Sequence, residues 1–123
     1  VEGIITASVE WKPRMRPARR YEIYLPMTYN DGRLIEDEKF IQTEAELLER
    51  FEGVTLMQRR SETALKGLWR HASEVYSDEI TIALIYAYET EEADEWLTLY
   101  KETLKDRFQQ LEVLIVAFPV EVI

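Results

Sequence analysis

The sequence predicts an α+β fold, a βαββαβ sandwich in which two helices cover one face of a four-stranded antiparallel sheet. Three observations predict it. Residues 21–27 alternate strictly, with Tyr21, Ile23, Leu25 and Met27 on one side and Glu22, Tyr24 and Pro26 on the other, the period of a half-buried strand. Two later stretches repeat apolar residues at helical spacing. Residues 79–88 are apolar on both alternating sides, which marks a central strand covered on both faces. A chain of 123 residues, 46% of them hydrophobic, suits one domain with its own core and excludes wholesale disorder.

The elements follow in order. Ile4, Ile5, Thr6, Ala7, Ser8 and Val9 are β-prone and suit a strand added to a sheet edge. After the first core strand, Asn30-Asp31-Gly32 makes a turn, since Asn and Gly accept positive φ. Asp37 is the expected cap of a helix reaching residue 52, with Phe40, Ile41, Leu47, Leu48 and Phe51 as its apolar stripe. Gly53 stops that helix, and Val54 folds back on its last turn. Residues 54–57 start a second strand, and the polar stretch 58–66 reads as a loop or a frayed extension of it. Residues 67–71 and 74–76 read as two arms of a short extra hairpin with Ala72-Ser73 at its tip.

In the central strand Ile80, Ile82, Leu84, Tyr86 and Tyr88 share one side, and Thr81, Ala83, Ile85 and Ala87 the other. Thr90 is the expected cap of a second helix, with acids in its first turn, Lys101, Lys105 and Arg107 toward its end, and Leu97, Tyr100, Leu104, Phe108 and Leu111 as the buried stripe. Residues 113–122 form the last strand. Pro119 places it at an edge, because proline has no N–H for a second neighbour.

This order is the ferredoxin-like split βαβ plan, with the first and third of its four strands in the centre and both helices on one face. The other face then carries Tyr24, one row of the central strand and one row of the last strand. A lone chain would expose them as a large apolar patch. Sheet-to-sheet packing of a second copy, as in dimeric α/β barrels, is the expected cover, and the N-terminal segment folded back is the alternative.

Charge divides the chain unevenly. The formal charge is −9; Lys12, Arg14, Arg16, Arg19 and Arg20 against Glu2 and Glu10 give residues 1–20 a charge of +3, which leaves −12 on residues 21–123. The reading is an extended basic arm, 1–20, on an acidic domain, 21–123, with Pro13 and Pro17 opposing helix in the arm. An acidic domain repels a phosphate backbone, so nucleic acid is reachable through the arm alone, and an acidic protein surface suits the arm better. With no cysteine, disulfides, thiolate zinc sites and thiol nucleophiles drop out. No apolar run approaches the roughly 20 residues of a membrane helix, and no charged segment followed by an apolar one opens the chain. A soluble, cytoplasmic protein is the default expectation.

Few residues carry candidate chemistry. His71 is the lone histidine, so multi-histidine metal sites are excluded; with Trp69, Tyr76 and Tyr24 it makes a candidate pocket for general acid–base work, as in a dimeric α/β-barrel enzyme, or else is an ordinary hairpin residue. Asp31 stands where small ferredoxin-like nucleases of the Cas2 type carry a Mg²⁺-binding Asp, although Asn-Asp-Gly is also ordinary turn chemistry. The four glycines lack phosphate-loop spacing, the third strand lacks the basic and aromatic pattern of an RNA-binding sheet, and no cofactor motif occurs.

Residues Leu25-Pro26-Met27-Thr28-Tyr29-Asn30-Asp31-Gly32, Phe51-Glu52-Gly53-Val54-Thr55, Leu104-Lys105-Asp106-Arg107-Phe108-Gln109-Gln110 and Phe118-Pro119-Val120-Glu121 resemble a group of small uncharacterised bacterial proteins of ferredoxin-like plan. The resemblance spans about residues 21 to 123 and implies the fold but no activity or catalytic residue. The leading expectation is a non-enzymatic, self-associating interaction or accessory module, its basic residues and Tyr24 and Trp69 available for binding. A small enzyme using Asp31 or His71, and a nucleic-acid-binding arm, are the alternatives.

Overall fold

A computed structural model describes residues 14–57, 65–71 and 74–123, with side chains throughout except at 65–71 and 74–78. The chain forms β1 (Arg16–Pro26), α1 (Asp37–Phe51), β2 (Thr55–Met57), β3 (Leu65–His71), β4 (Glu74–Ala87), α2 (Thr90–Arg107) and β5 (Ile115–Val122). The antiparallel sheet has the order β2-β4-β1-β5, with β3 also paired to β4. β1 and β4 are therefore central, as the ferredoxin-like plan requires. Ile80 pairs with Pro26 on one side and Leu65 on the other, so β2 and β3 share the same edge of β4.

The central strand is longer than the alternation of 79–88 implied. Ser77-Asp78 reads as a break, yet β4 runs unbroken from Glu74, because β3 pairs with it from Leu65↔Ile80 to His71↔Glu74. The hairpin expected before the third strand is thus the start of that strand with β3 laid along it. Its tip, residues 72–73, lies outside the described residues, as do Lys12 and the β-prone stretch 4–9.

β1 also begins earlier than expected. Arg16, Arg19 and Arg20, read as arm residues, belong to the strand: Arg16 pairs with Val122, and Arg19 and Arg20 have partners in both β4 and β5. The bond from Met27 N–H to Glu79 C=O and that from Tyr24 N–H to Leu114 C=O set the phase of the two ladders. Odd residues of β1 bond toward β4 and even ones toward β5. Pro17 therefore lacks its N–H on the β4 side, where the ladder starts only at Arg19, and Pro26 lacks its on the β5 side, beyond the end of that ladder. Both prolines sit where no neighbour needs a donor. By the same phase, Ile115, Ala117, Pro119 and Glu121 of β5 turn their backbone groups to the free edge.

Both helices lie on the face of Tyr21, Ile23, Leu25, Ala83, Ile85 and Ala87. These residues join Phe40, Leu47, Ala93, Leu97, Tyr100, Leu104, Phe108 and Val113 in one buried core. Phe40 meets Phe108 edge-on at 5.2 Å, and Trp96 stacks on Tyr100 at 4.4 Å. Three expected stripe residues fall outside that core: Ile41, Leu48 and Leu111 are exposed. The first two sit one position past Phe40 and Leu47, about 100° further round the helix, and Leu111 follows the end of α2 at Arg107.

The helix ends differ in detail. Glu36 and Glu89, not Asp37 and Thr90, occupy the N-cap positions, and neither makes a side-chain cap bond. At the C-terminus of α1 the left-handed residue is Glu52, φ 62°, whose N–H bonds the Leu48 carbonyl at 2.8 Å. Gly53 follows the cap instead of making it. Between the helices, Arg107 lies 2.8 Å from Glu46, donates to Thr43 Oγ1 at 2.8 Å, and shares Glu46 with the Tyr100 hydroxyl, 2.6 Å away. Burial pushes the Tyr100 hydroxyl well up, and the Arg107 bond holds the Glu46 carboxyl below its usual range.

Candidate functional site

The sheet face opposite the helices is set by the register. Arg20, Glu22, Tyr24 and Pro26 of β1 stand beside Tyr86, Leu84, Ile82 and Ile80 of β4. Met57 aligns with Ile82, and Val116, Phe118, Val120 and Val122 of β5 align with Glu22, Arg20, Ala18 and Arg16. Leu114, 56% exposed, Tyr86, 48%, and Tyr88, 40%, project from this face. Of the two alternating rows of the last strand, Leu114, Val116 and Phe118 is the one outside. Ile115 and Ala117 face the helices.

A polar strip crosses this apolar field along β1. The Tyr24 hydroxyl donates to Glu22 Oε1 at 2.6 Å, a bond to a carboxylate that, with burial, raises the tyrosine above its ordinary range. The Arg20 Nη2 stands 3.6 Å from the other Glu22 oxygen, and its guanidinium lies over the Phe118 ring at 4.7 Å. Arg16 lies over the Tyr88 ring at 3.8 Å. Among the described residues, Arg20 Nε is the one buried side-chain nitrogen or oxygen with no hydrogen-bond partner. Arg16 and Arg20, expected in an extended basic arm, are residues of this face. The signal was available in their even-number parity with Tyr24, since residues i, i+2 and i+4 of a strand share a side.

The other basic residues separate. Arg19 points to the helix side and pairs with Asp94, which also accepts the buried Tyr21 hydroxyl at 2.5 Å. Burial, helped by that carboxylate, pushes the Tyr21 hydroxyl up to about 12, and the Tyr21 and Arg19 bonds hold Asp94 low. Arg14 is exposed ahead of β1.

Asp31 sits in the turn after β1. Its carboxylate accepts the Arg33 backbone N–H at 3.0 Å and Arg33 Nε at 2.7 Å, which lowers its pKa. Gly32 supplies the positive φ there, 89°. Among the described residues no three His, Cys, Asp or Glu side chains converge as a metal-binding group. Trp69 and Tyr76 are register partners, as their spacing suggested, but Tyr24 aligns with Ile82 and His71 with Glu74. Tyr24 is thus six residues along β4 from the level of Trp69, roughly 20 Å, and further from His71. The three do not meet in one chain.

On the helix side, a cleft of about 290 Å³ opens between α2 and β5, lined by Tyr21, Asp94, Leu97, Thr98, Lys101 and Ile115. Lys101 pairs with Glu112 at 2.8 Å and lowers its pKa. No described helix is long and apolar enough to cross a membrane.

No family model matches the chain, and no curated protein matches it in sequence. Solved structures do match in fold. The divalent cation tolerance protein CutA1 of Thermus thermophilus is 18% identical with a TM-score of 0.56, each chain covered over 84%. CutA1 of Oryza sativa is 12% identical with a TM-score of 0.57, over 86% of this chain and 82% of that one. A phage SAM lyase in complex with S-methyl-5'-thioadenosine is 11% identical with a TM-score of 0.63, over 92% of this chain and 95% of that one. At these identities the likeness establishes the ferredoxin-like fold.

Proposed function

We propose that this chain is a self-associating interaction module whose open sheet face is covered by a second copy of itself. One observation carries the reading: although Ala18 and Ile82 on this face are buried, both helices lie on the other side of the sheet, and Met57, Tyr86, Tyr88 and Leu114 stand 36% to 56% exposed. β4, β1 and β5, about 4.8 Å apart and paired over eight residues at about 3.3 Å each, with β2 paired over three, project roughly 430 Å², about half of the ~800 Å² per partner of a standard interface. The acidic surface expected to receive the basic segment is partly the domain's own, through Asp94 and Glu22. Arg14 remains exposed for a partner.

Light scattering coupled to size exclusion tests the reading. The wild-type chain is expected to run as a dimer at micromolar concentration, and Phe118→Lys or Tyr86→Lys as a folded monomer. A wild-type monomer that binds no hydrophobic dye refutes it.

A second reading draws on the cleft between α2 and β5. The phage lyase binds a thioadenosine nucleoside, and this cleft pairs an apolar wall, Leu97 and Ile115, with the Asp94 carboxylate, whose two hydrogen bonds leave lone pairs free for a ribose diol. Calorimetric titration with S-methyl-5'-thioadenosine tests it. Saturable binding lost in Asp94→Asn supports a nucleoside site, and no heat at millimolar ligand refutes one.

A further inference from the structure

The polar strip on the open face is the least explained feature of the molecule. Arg20 carries five N–H donors. Its Nε is buried without a partner, its Nη2 is 3.6 Å from the Glu22 carboxylate, and the side chain is 34% exposed, so in a single chain the terminal donors are left to water. The Phe118 ring beneath it holds the guanidinium plane in place. A second sheet packed on this face strips that water, and the charge is then costly unless the partner supplies an acceptor.

The positions of the two charges say where that acceptor comes from. Arg20 and Glu22 are neighbours on the same side of β1, about 7 Å apart, in the stretch where β1 has partners on both sides. They flank the middle of the face. A two-fold axis lying between two stacked sheets and crossing β1 at the level of Tyr21 sets Arg20 of one copy opposite Glu22 of the other, twice. An axis running along β1 would instead set arginine against arginine. The pattern is self-complementary in one orientation and repulsive in the other, which is how a charged pair in an apolar interface specifies register.

We infer that Arg20 and Glu22 form reciprocal ion pairs between two copies of this chain, giving the terminal guanidinium donors a carboxylate in place of water and fixing the relative orientation of the two sheets. This rests on the self-association proposed above and adds the residues that select the partner. Each copy supplies the carboxylate that the other copy's arginine lacks.

Charge reversal separates this from a role within one chain. Arg20→Glu alone sets acid against acid across the axis, and Glu22→Arg alone sets base against base. Each is expected to raise the dimer dissociation constant about 30-fold or more, the usual effect of disrupting a desolvated charge pair. An equimolar mixture of the two variants has both pairs complementary again and is expected to form a heterodimer within a few-fold of wild-type affinity, measured by sedimentation velocity with one variant labelled. Recovery in the mixture also shows that both variants fold. If Phe118→Lys dissociates the dimer while Arg20→Glu leaves it intact, or if the mixture stays monomeric, the ion-pair inference is overturned and the covered face stands. If neither Phe118→Lys nor Arg20→Glu changes the assembly, the proposed function itself fails.

Discussion

Removing Glu46 should destabilise this protein far more than removing Arg107, although the two are partners in one ion pair. The Arg107 side chain is 9% exposed and that of Glu46 35% exposed. Glu46→Leu leaves a nearly buried guanidinium facing only the neutral oxygens of Thr43 and Tyr100. A fully buried pair broken in this way costs 3–5 kcal/mol; the opening of Glu46 to water brings the expectation here to about 3 kcal/mol, or roughly 10 °C in Tm for a domain of this size. Arg107→Met leaves a carboxylate that keeps the Tyr100 hydroxyl and gains water, while Thr43 keeps its bond to the Lys39 carbonyl at 2.7 Å. Its cost should be about 1 kcal/mol. The double variant should lie closer to Arg107→Met than to Glu46→Leu, because no charge is stranded. Urea unfolding followed by tryptophan fluorescence, at one protein concentration for all variants, measures the three values. Arg107→Met as damaging as Glu46→Leu would refute the reasoning. The same pair contributes to acid unfolding: Glu46 has its folded pKa lowered, so its stabilisation is present above the unfolded value and lost as pH falls through the folded one.

Three further outcomes are expected. Tyr21 should ionise only near pH 12 in the folded protein, and since the unfolded chain ionises near 10, stability should fall between those values; a Tyr21→Phe variant that keeps the full alkaline loss in circular dichroism would contradict this. Glu52→Gly should raise stability by about 0.5–1 kcal/mol in urea titration, because a glycine takes φ 62° without Cβ strain and the helix has already ended. Gly32→Ala should cost about 1 kcal/mol despite open space around the new methyl, since φ 89° is the obstacle; a neutral result would show that the turn relaxes.

The core strands, both helices and the choice of central strands were legible from periodicity alone, because Tyr21-Ile23-Leu25 and Ala83-Ile85-Ala87 each bury one alternating row. The start of β1 was hidden. Two prolines among arginines carry the composition of a linker, and only the phase of the ladders reveals that Pro17 stands where no donor is needed. The start of β4 was hidden for a related reason: Ser77-Asp78 has turn chemistry, and the pairing with β3 that overrides it is not local. Glu52 took the left-handed position one residue before the glycine that signalled it. As for the site, the exposed apolar face followed from the fold plan, but the stacking of Arg16 on Tyr88 and of Arg20 on Phe118 depends on neighbours 72 and 98 residues away, a relation that spacing within one strand does not contain. Within one chain the register sets Tyr24 and the pair Trp69 and His71 at different levels of β4, a separation that residue types alone do not reveal.

The proline whose backbone faces the free edge of β5 bears on what happens when this protein is crowded. A strand offering alternate backbone donors along its rim is a template on which further strands stack without limit, and with so much Val and Ile in residues 115–122 the chain has the composition for fibre growth. At Pro119 that template is missing a rung, and Glu121 adds a charge to the same rim. Growth by strand addition is interrupted there, while contact through the flat of the sheet is not. Under the sheet-to-sheet pairing proposed above, the assembly then closes at a fixed number of copies, and Pro119→Val is the change expected to let it polymerise.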